Sequence, residues 1–161
     1  MEKHKRFLFL ILAVTTLVTA MIATASASNY TDREIVSFHI PYYRYSTPLD
    51  PRDKEDSSPV YLYITDLSYS NYNILVQALG CTSKTGSYSF ENLTVSNGAM
   101  AQYVACREGV QYSIHSDIYE EGYAYASLRF QDRGESSGNT ITGLWSPDSI
   151  GTYTSATGQA L

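Results

Sequence analysis

From Val60 onward the chain carries separate runs in which apolar residues recur with a period of two, and no stretch of it sustains a helical period over three turns. Val60, Leu62 and Ile64 share one side of residues 60–65, and Ile74, Val76 and Ala78 repeat the pattern in the next run. In residues 123–130, Ala124, Ala126, Leu128 and Phe130 alternate with Tyr123, Tyr125, Ser127 and Arg129, which gives one apolar and one polar-aromatic face. Successive side chains of a strand point to opposite faces, so this pattern specifies half-buried strands. Residues 35–40, 87–95, 99–106, 110–116 and 140–145 complete a set of about eight, separated by Gly, Asn, Asp and Ser turns. Eight strands in one unit imply an all-β fold, with an antiparallel β-sandwich preferred to a barrel because closed barrels carry longer and more regular strands. A single helical turn is expected near residues 118–121. The Pro-, Asp- and Lys-rich stretch 48–59 and the Gly/Ser-rich stretch 134–139 are expected to be exposed loops.

The segment ahead of this pattern has a different character. Lys3, Lys5 and Arg6 precede an uncharged apolar run over residues 7–23, and Ala25-Ser26-Ala27 supplies the small side chains that a signal peptidase accepts. Residues 1–27 therefore predict a secretory signal peptide cleaved after Ala27, with Ala23-Thr24-Ala25 as a second acceptable site. An uncleaved anchor is the competing expectation, since the run approaches the roughly 20 residues needed to span a bilayer. Three threonines dilute it, and no later segment is apolar enough to span. Residues 28–161 are then a single β-sandwich domain released outside the membrane.

Removing the leader takes three basic residues and one acidic residue with it, leaving 15 acidic against 8 scattered basic residues. Such a chain repels phosphate backbones, which argues against nucleic-acid binding, and it meets a membrane only during export. All 15 tyrosines lie beyond the leader, where aromatic and β-branched side chains suit a pleated, half-buried surface. Cys81 and Cys106 are the only cysteines. In an exported chain an even pair predicts a disulfide, which would stabilise the fold by about 3 kcal/mol in the chain-entropy model. Two sulfurs without nearby histidines make a poor metal site, and reduced thiols remain the alternative in a host without an oxidising compartment.

Each candidate site is weighed against a plain structural role. Asp50, Asp53, Glu55 and Asp56 could offer oxygens to calcium, but they lack the glycine and spacing of an EF-hand, and a solvated acidic loop is favoured. His39 and His115 are the only histidines past the leader, and neither a G-x-S-x-G elbow nor an H-E-x-x-H helix supports a catalytic role. Glu120 and Glu121 are adjacent, so on a strand they point apart and make a poor acid and base pair. Tyr61, Tyr63, Tyr123 and Tyr125 form a candidate ligand surface, because sugar faces stack on aromatic rings; cross-strand pairing within a sheet is the favoured alternative. Trp145 alternates with Ile141 and Gly143, which marks it as a core anchor first and a ligand platform second. Asn29-Tyr30-Thr31 and Asn92-Leu93-Thr94 are glycosylation sequons that matter only in a eukaryotic host.

The closing run Ile141-Thr142-Gly143-Leu144-Trp145-Ser146-Pro147-Asp148-Ser149, preceded by Tyr125-Ala126-Ser127-Leu128-Arg129-Phe130, resembles the C-terminal segment of uncharacterised secreted proteins of Gram-positive bacteria. Tyr43-Arg44-Tyr45-Ser46-Thr47 and Ser58-Pro59-Val60 are similar to that group's opening portion. The group includes small β-rich exoproteins related in pattern to lactococcin-type bacteriocins. The resemblance implies secretion and a role in antagonism or at the cell surface, with no catalytic residue to carry over. The chain departs from the shorter bacteriocins in its two cysteines, its acidity and its long loop. The expectation is a secreted, non-enzymatic binding or bacteriocin-like protein without cofactor or metal, whose partner is a bacterial cell-surface component. A carbohydrate-binding or wall-polysaccharide-acting protein is the alternative.

Overall fold

A computed structural model describes residues 30–85, 89–134 and 137–160, with the side chains of 158–160 left aside. The leader, Asn29 and the start of the 87–95 stretch lie outside the described residues. Twelve strands are described: β1 (Arg33–Ile40), β2 (Arg52–Asp53), β3 (Val60–Leu67), β4 (Ile74–Cys81), β5 (Phe90–Asn92), β6 (Val95–Ser96), β7 (Ala99–Cys106), β8 (Gln111–Ile114), β9 (Tyr125–Gln131), β10 (Asn139–Ser146), β11 (Thr154–Ser155) and β12 (Thr157–Ala160). They build an all-β sandwich. One sheet has the order β1-β10-β3-β8-β11, and the other runs β12-β7-β4-β9-β2, with β5 beside β4 and β6 beside β7. All pairings are antiparallel except β11 on β8. The expected turn after residue 117 is a single hydrogen-bonded turn, closed by the Glu121 N–H on the Asp117 carbonyl at 2.9 Å.

The period-two residues fill the space between the sheets. Val60, Leu62 and Ile64 face Ile74, Val76 and Ala78 across the sandwich, joined by Leu128, Phe130, Ile141 and Trp145 in one buried cluster. Each such side chain gains about 1.5–3 kcal/mol on leaving water, which is what commits the strands to this register. β2, β11 and β12 exceed the eight expected strands. They are two to four residues long and leave no apolar alternation in the sequence. The expected strand over 87–95 is split, and β6 turns into β7 through Asn97-Gly98, whose φ angles of 53° and 76° suit the tight hairpin that joins twisted strands.

Gly143 sits where β10 shifts register against β3. A methyl group there would come within 2.3 Å of the Tyr63 carbonyl oxygen. Gly143→Ala is therefore expected to cost roughly 1–3 kcal/mol, the usual penalty for forcing backbone apart in a packed site. A urea midpoint equal to that of the parent protein would contradict this.

Three expectations need correction. Cys81 and Cys106 are both buried and free. Cys106 lies opposite Ile74 at the start of β4, whereas Cys81 ends the same strand. Seven residues of strand hold them about 23 Å apart, far beyond the reach of a disulfide. Burial pushes the Cys106 thiol well above its ordinary range, so it stays protonated and unreactive. The folded protein is expected to resist thiol reagents, and denaturation without reductant is expected to release two reactive thiols per chain; a chain that shows none would restore the disulfide.

The stretch 48–59 is likewise not a free loop. It runs along the outer edge of β9, with the N–H groups of Ser46, Leu49 and Lys54 donating to the carbonyls of Phe130, Leu128 and Ala124. Pro51 and Lys54 are buried. Asn139, expected in the loop 134–139, instead opens β10 and is buried, with its side-chain oxygen accepting from Ser68 and Tyr69.

Candidate functional site

Alternation puts every second residue of β4, β7 and β9 on the outward face of the seven-stranded sheet. Gln77 on β4 and Arg129 on β9 are direct cross-strand partners, and Tyr103 lies on the next strand, β7. The Tyr45 backbone bridges Gln131 beyond β9, which swings the Tyr45 ring over the same face. The Arg129 guanidinium lies 4.4 Å from the Tyr45 ring centre, and that of Arg133 lies 5.3 Å from the ring of Tyr103. A guanidinium over an aromatic face is attracted by the ring's quadrupole and held flat, with its edge left for other acceptors.

Two buried amides brace these cations. Arg129 donates from Nε and Nη2 to Oε1 of Gln77, which is only 3% exposed, while Gln77 Nε2 donates to the Tyr45 hydroxyl at 3.1 Å and to the Gln102 carbonyl at 2.6 Å. Arg133 Nε donates to Gln131 Oε1 at 3.2 Å, and Gln131 Nε2 donates to the Tyr43 carbonyl. Among the described residues, neither Arg129 nor Arg133 is paired with a carboxylate, whereas the charged groups Arg33, Lys54 and Lys84 are. Burial pushes the Tyr45 phenol above its ordinary value, opposed by the nearby charges of Arg129 and Arg133 and reinforced by Tyr103. The phenol is neutral at ordinary pH. Among the described residues the face thus carries two guanidinium groups that lie over aromatic rings without a carboxylate partner, a pattern suited to holding a carboxylate or phosphate by charge-assisted hydrogen bonds.

The four tyrosines of the expected ligand surface do not come together. Tyr61 and Tyr63 stand on the outer side of β3, in one sheet, while Tyr125 opens β9, in the other, and Tyr123 lies two residues before it. Tyr61 is 6% exposed beneath Tyr153, with ring centres 4.7 Å apart, and burial pushes its phenol up to about 12. Tyr123 donates to Glu91, and Lys84 sits 5.4 Å from the ring of Tyr125. Trp145 is 1% exposed in the core, with Arg52 stacked on it at 5.6 Å, and serves as an anchor.

Asp50, Asp53 and Asp56 are engaged within the chain rather than gathered around an ion. Asp50 pairs with Arg33, Asp53 with Lys84, and Asp56 accepts from Tyr30 and from the Ser58 amide. Among the described residues, no group of three or more His, Cys, Asp and Glu side chains converges on one point. Asn92 donates to the carbonyls of Ala101 and Gln102, so its sequon is bound into the fold.

A cleft of about 390 Å³ is lined by Ser96, Asn97, His115, Asp117 and Glu120 among others. His115 follows β8 in the five-stranded sheet and lines this cleft beside Asp117 and Glu120. His39 is three strand positions away in the same sheet.

Sequence reasoning placed Arg129 on a polar-aromatic face but missed Gln77, Tyr45, Tyr103 and Arg133. Their signal was weak: Tyr45 lies in no regular strand, and Gln77 breaks an otherwise apolar run. The model of a protein family of unknown function, DUF2712, matches residues 21–149, a stretch that includes every residue of this face. No curated protein and no solved structure matches the chain.

Proposed function

The chain belongs to the DUF2712 family, and from that premise we propose that it is an exported, non-enzymatic protein that acts by binding a glycan bearing carboxylate or phosphate groups at a cell surface. The observation that carries this is the row Tyr45, Arg129 and Gln77 beside Tyr103 and Arg133, where each guanidinium lies over an aromatic ring and, among the described residues, has no carboxylate partner. In a chain with a formal charge of −5, such a local concentration of guanidinium groups is complementary to an anion. Ring faces beside it suit the apolar face of a sugar. Export is supported by the order of charged, apolar and small residues over 1–27. Service at a producer's own wall and antagonism toward a competitor both use such a surface.

Titration of the purified protein with an anionic polysaccharide, a wall teichoic acid or polygalacturonate, tests the reading against neutral dextran. Binding of the anionic polymer alone is expected, weakening as salt rises. Arg129→Gln removes one charge-assisted contact and is expected to weaken binding roughly tenfold or more. Equal affinity for dextran, or none for either anionic polymer, would overturn the proposal. An extracellular enzyme acting on polysaccharide is the second reading, favoured by the cleft holding His115 and Glu120. Release of soluble sugars during the same incubation would select it.

A further inference from the structure

We propose that Lys54 and Asp148 join through their side chains in an intramolecular amide, formed by the folded protein itself and tying the segment along β9 to the end of β10.

Both side chains are sealed from water, at 1% and 0% exposure, and Lys54 Nζ lies 2.6 Å from Asp148 Oδ1. A nitrogen in hydrogen-bond contact with one carboxyl oxygen is about 3–3.5 Å from the carboxyl carbon, the range from which attack proceeds. The pair is surrounded by groups that hold and serve it. The backbone N–H of Glu55 donates to the other carboxyl oxygen, Oδ2, at 3.1 Å, and so polarises the carbon and stabilises negative charge that develops on that oxygen. Nζ also donates to the Ser58 carbonyl, which fixes its direction, and Ser149 N–H donates to Ser58 Oγ at 3.0 Å, which fastens the two segments to each other. A second carboxylate, Asp56 Oδ1, stands 3.9 Å from Nζ. Burial raises Asp148 above the ordinary carboxylate range against the opposing pull of Lys54 and the Glu55 amide, and this favours the protonated acid. Burial also acts on Asp56, but hydrogen bonds from Ser58 and Tyr30 and the charge of Lys54 outweigh it and hold that carboxyl below its ordinary value, so it remains a base.

The step balances without any co-reactant. One proton passes from the Lys54 ammonium to the Asp148 carboxylate, leaving an amine and a carboxylic acid. The amine lone pair attacks Cγ, and the carbon–nitrogen bond forms as electrons move onto Oδ2 beneath the Glu55 amide. Asp56 takes the proton shed by nitrogen and returns it to the departing hydroxyl. The bond between Cγ and Oδ1 breaks, one water leaves, and nothing is oxidised or reduced. The dry surroundings oppose the reverse reaction. A neutral amide also removes the cost of keeping two ions out of water, which a buried ion pair bears permanently.

The test is tryptic mapping of the purified full-length chain by mass spectrometry under denaturing conditions, after folding has been verified from its tryptophan emission. The linked form is expected to resist cleavage after Lys54 and to yield residues 53–84 joined to residues 134–161, lighter by one water than the two linear peptides together. Lys54→Arg keeps the charge and cannot form the amide; it is expected to give only linear peptides and a lower melting temperature. A wild-type digest cleaved at Lys54, with 134–161 recovered as a free peptide, overturns the proposal, and this holds whether or not the variant folds.

Discussion

Asp148→Ala is expected to lose about 3–5 kcal/mol of folding stability whether the parent holds the pair as ions or as the amide, because in the variant Lys54 is a buried charge without its partner. Lys54 is 1% exposed, and its remaining contacts are the Ser58 carbonyl and Asp56 at 3.9 Å. The same substitution frees the Glu55 amide, which loses its acceptor. Because small domains fold with only about 5–15 kcal/mol in hand, a loss of this size shifts the unfolding midpoint severely or prevents folding at physiological temperature. Urea denaturation followed through the emission of Trp145, the chain's sole tryptophan, reads the effect directly. A variant within 1 kcal/mol of the parent would mean that water reaches the pair, contrary to its burial.

Trp145→Ala is expected to cost about 3–5 kcal/mol for a different reason, the cavity left where the largest core side chain stood. Trp145 is almost wholly enclosed, lies in the cluster shared by both sheets, and carries Arg52 on its ring. The strands around it are fixed by backbone ladders to β1 and β3, so the site has little freedom to collapse. Thermal unfolding followed by circular dichroism is the suitable measurement, since the variant has no tryptophan signal. Tyr119→Ala, at a position 48% exposed, is the control and is expected to stay within about 0.5 kcal/mol of the parent. Equal effects at the two positions would refute the anchoring role of Trp145.

The strands that could be read in advance are those whose residues bury one face. β3, β4, β7, β9 and β10 carry alternating apolar side chains, and the core they form contains the expected residues, Trp145 among them. What escaped sequence reasoning depends on partners far along the chain. Around Lys54 the local sequence Pro51-Arg52-Asp53-Lys54-Glu55-Asp56 looks like hydrated surface, and only a carboxylate 94 positions away makes a buried lysine tolerable there. The cysteine pairing failed for a related reason. Even count and export context say nothing of register, and register alone places Cys106 at one end of β4 and Cys81 at the other. Tyr45 was out of reach because its side chain is aimed by an isolated bridge to Gln131 rather than by a periodic strand.

The outermost strand of the five-stranded sheet, β1, changes register against β10 between Ile35 and Phe38, where Ser37 adopts a φ of 45°. Among the described residues no strand pairs with the far side of β1, and such a bulge bends that edge and turns its outward amides out of line. A second molecule that tried to extend the ladder from this side would find no straight template to copy. The kink therefore guards against edge-to-edge aggregation, a hazard that grows wherever many copies of a sheet-forming chain gather.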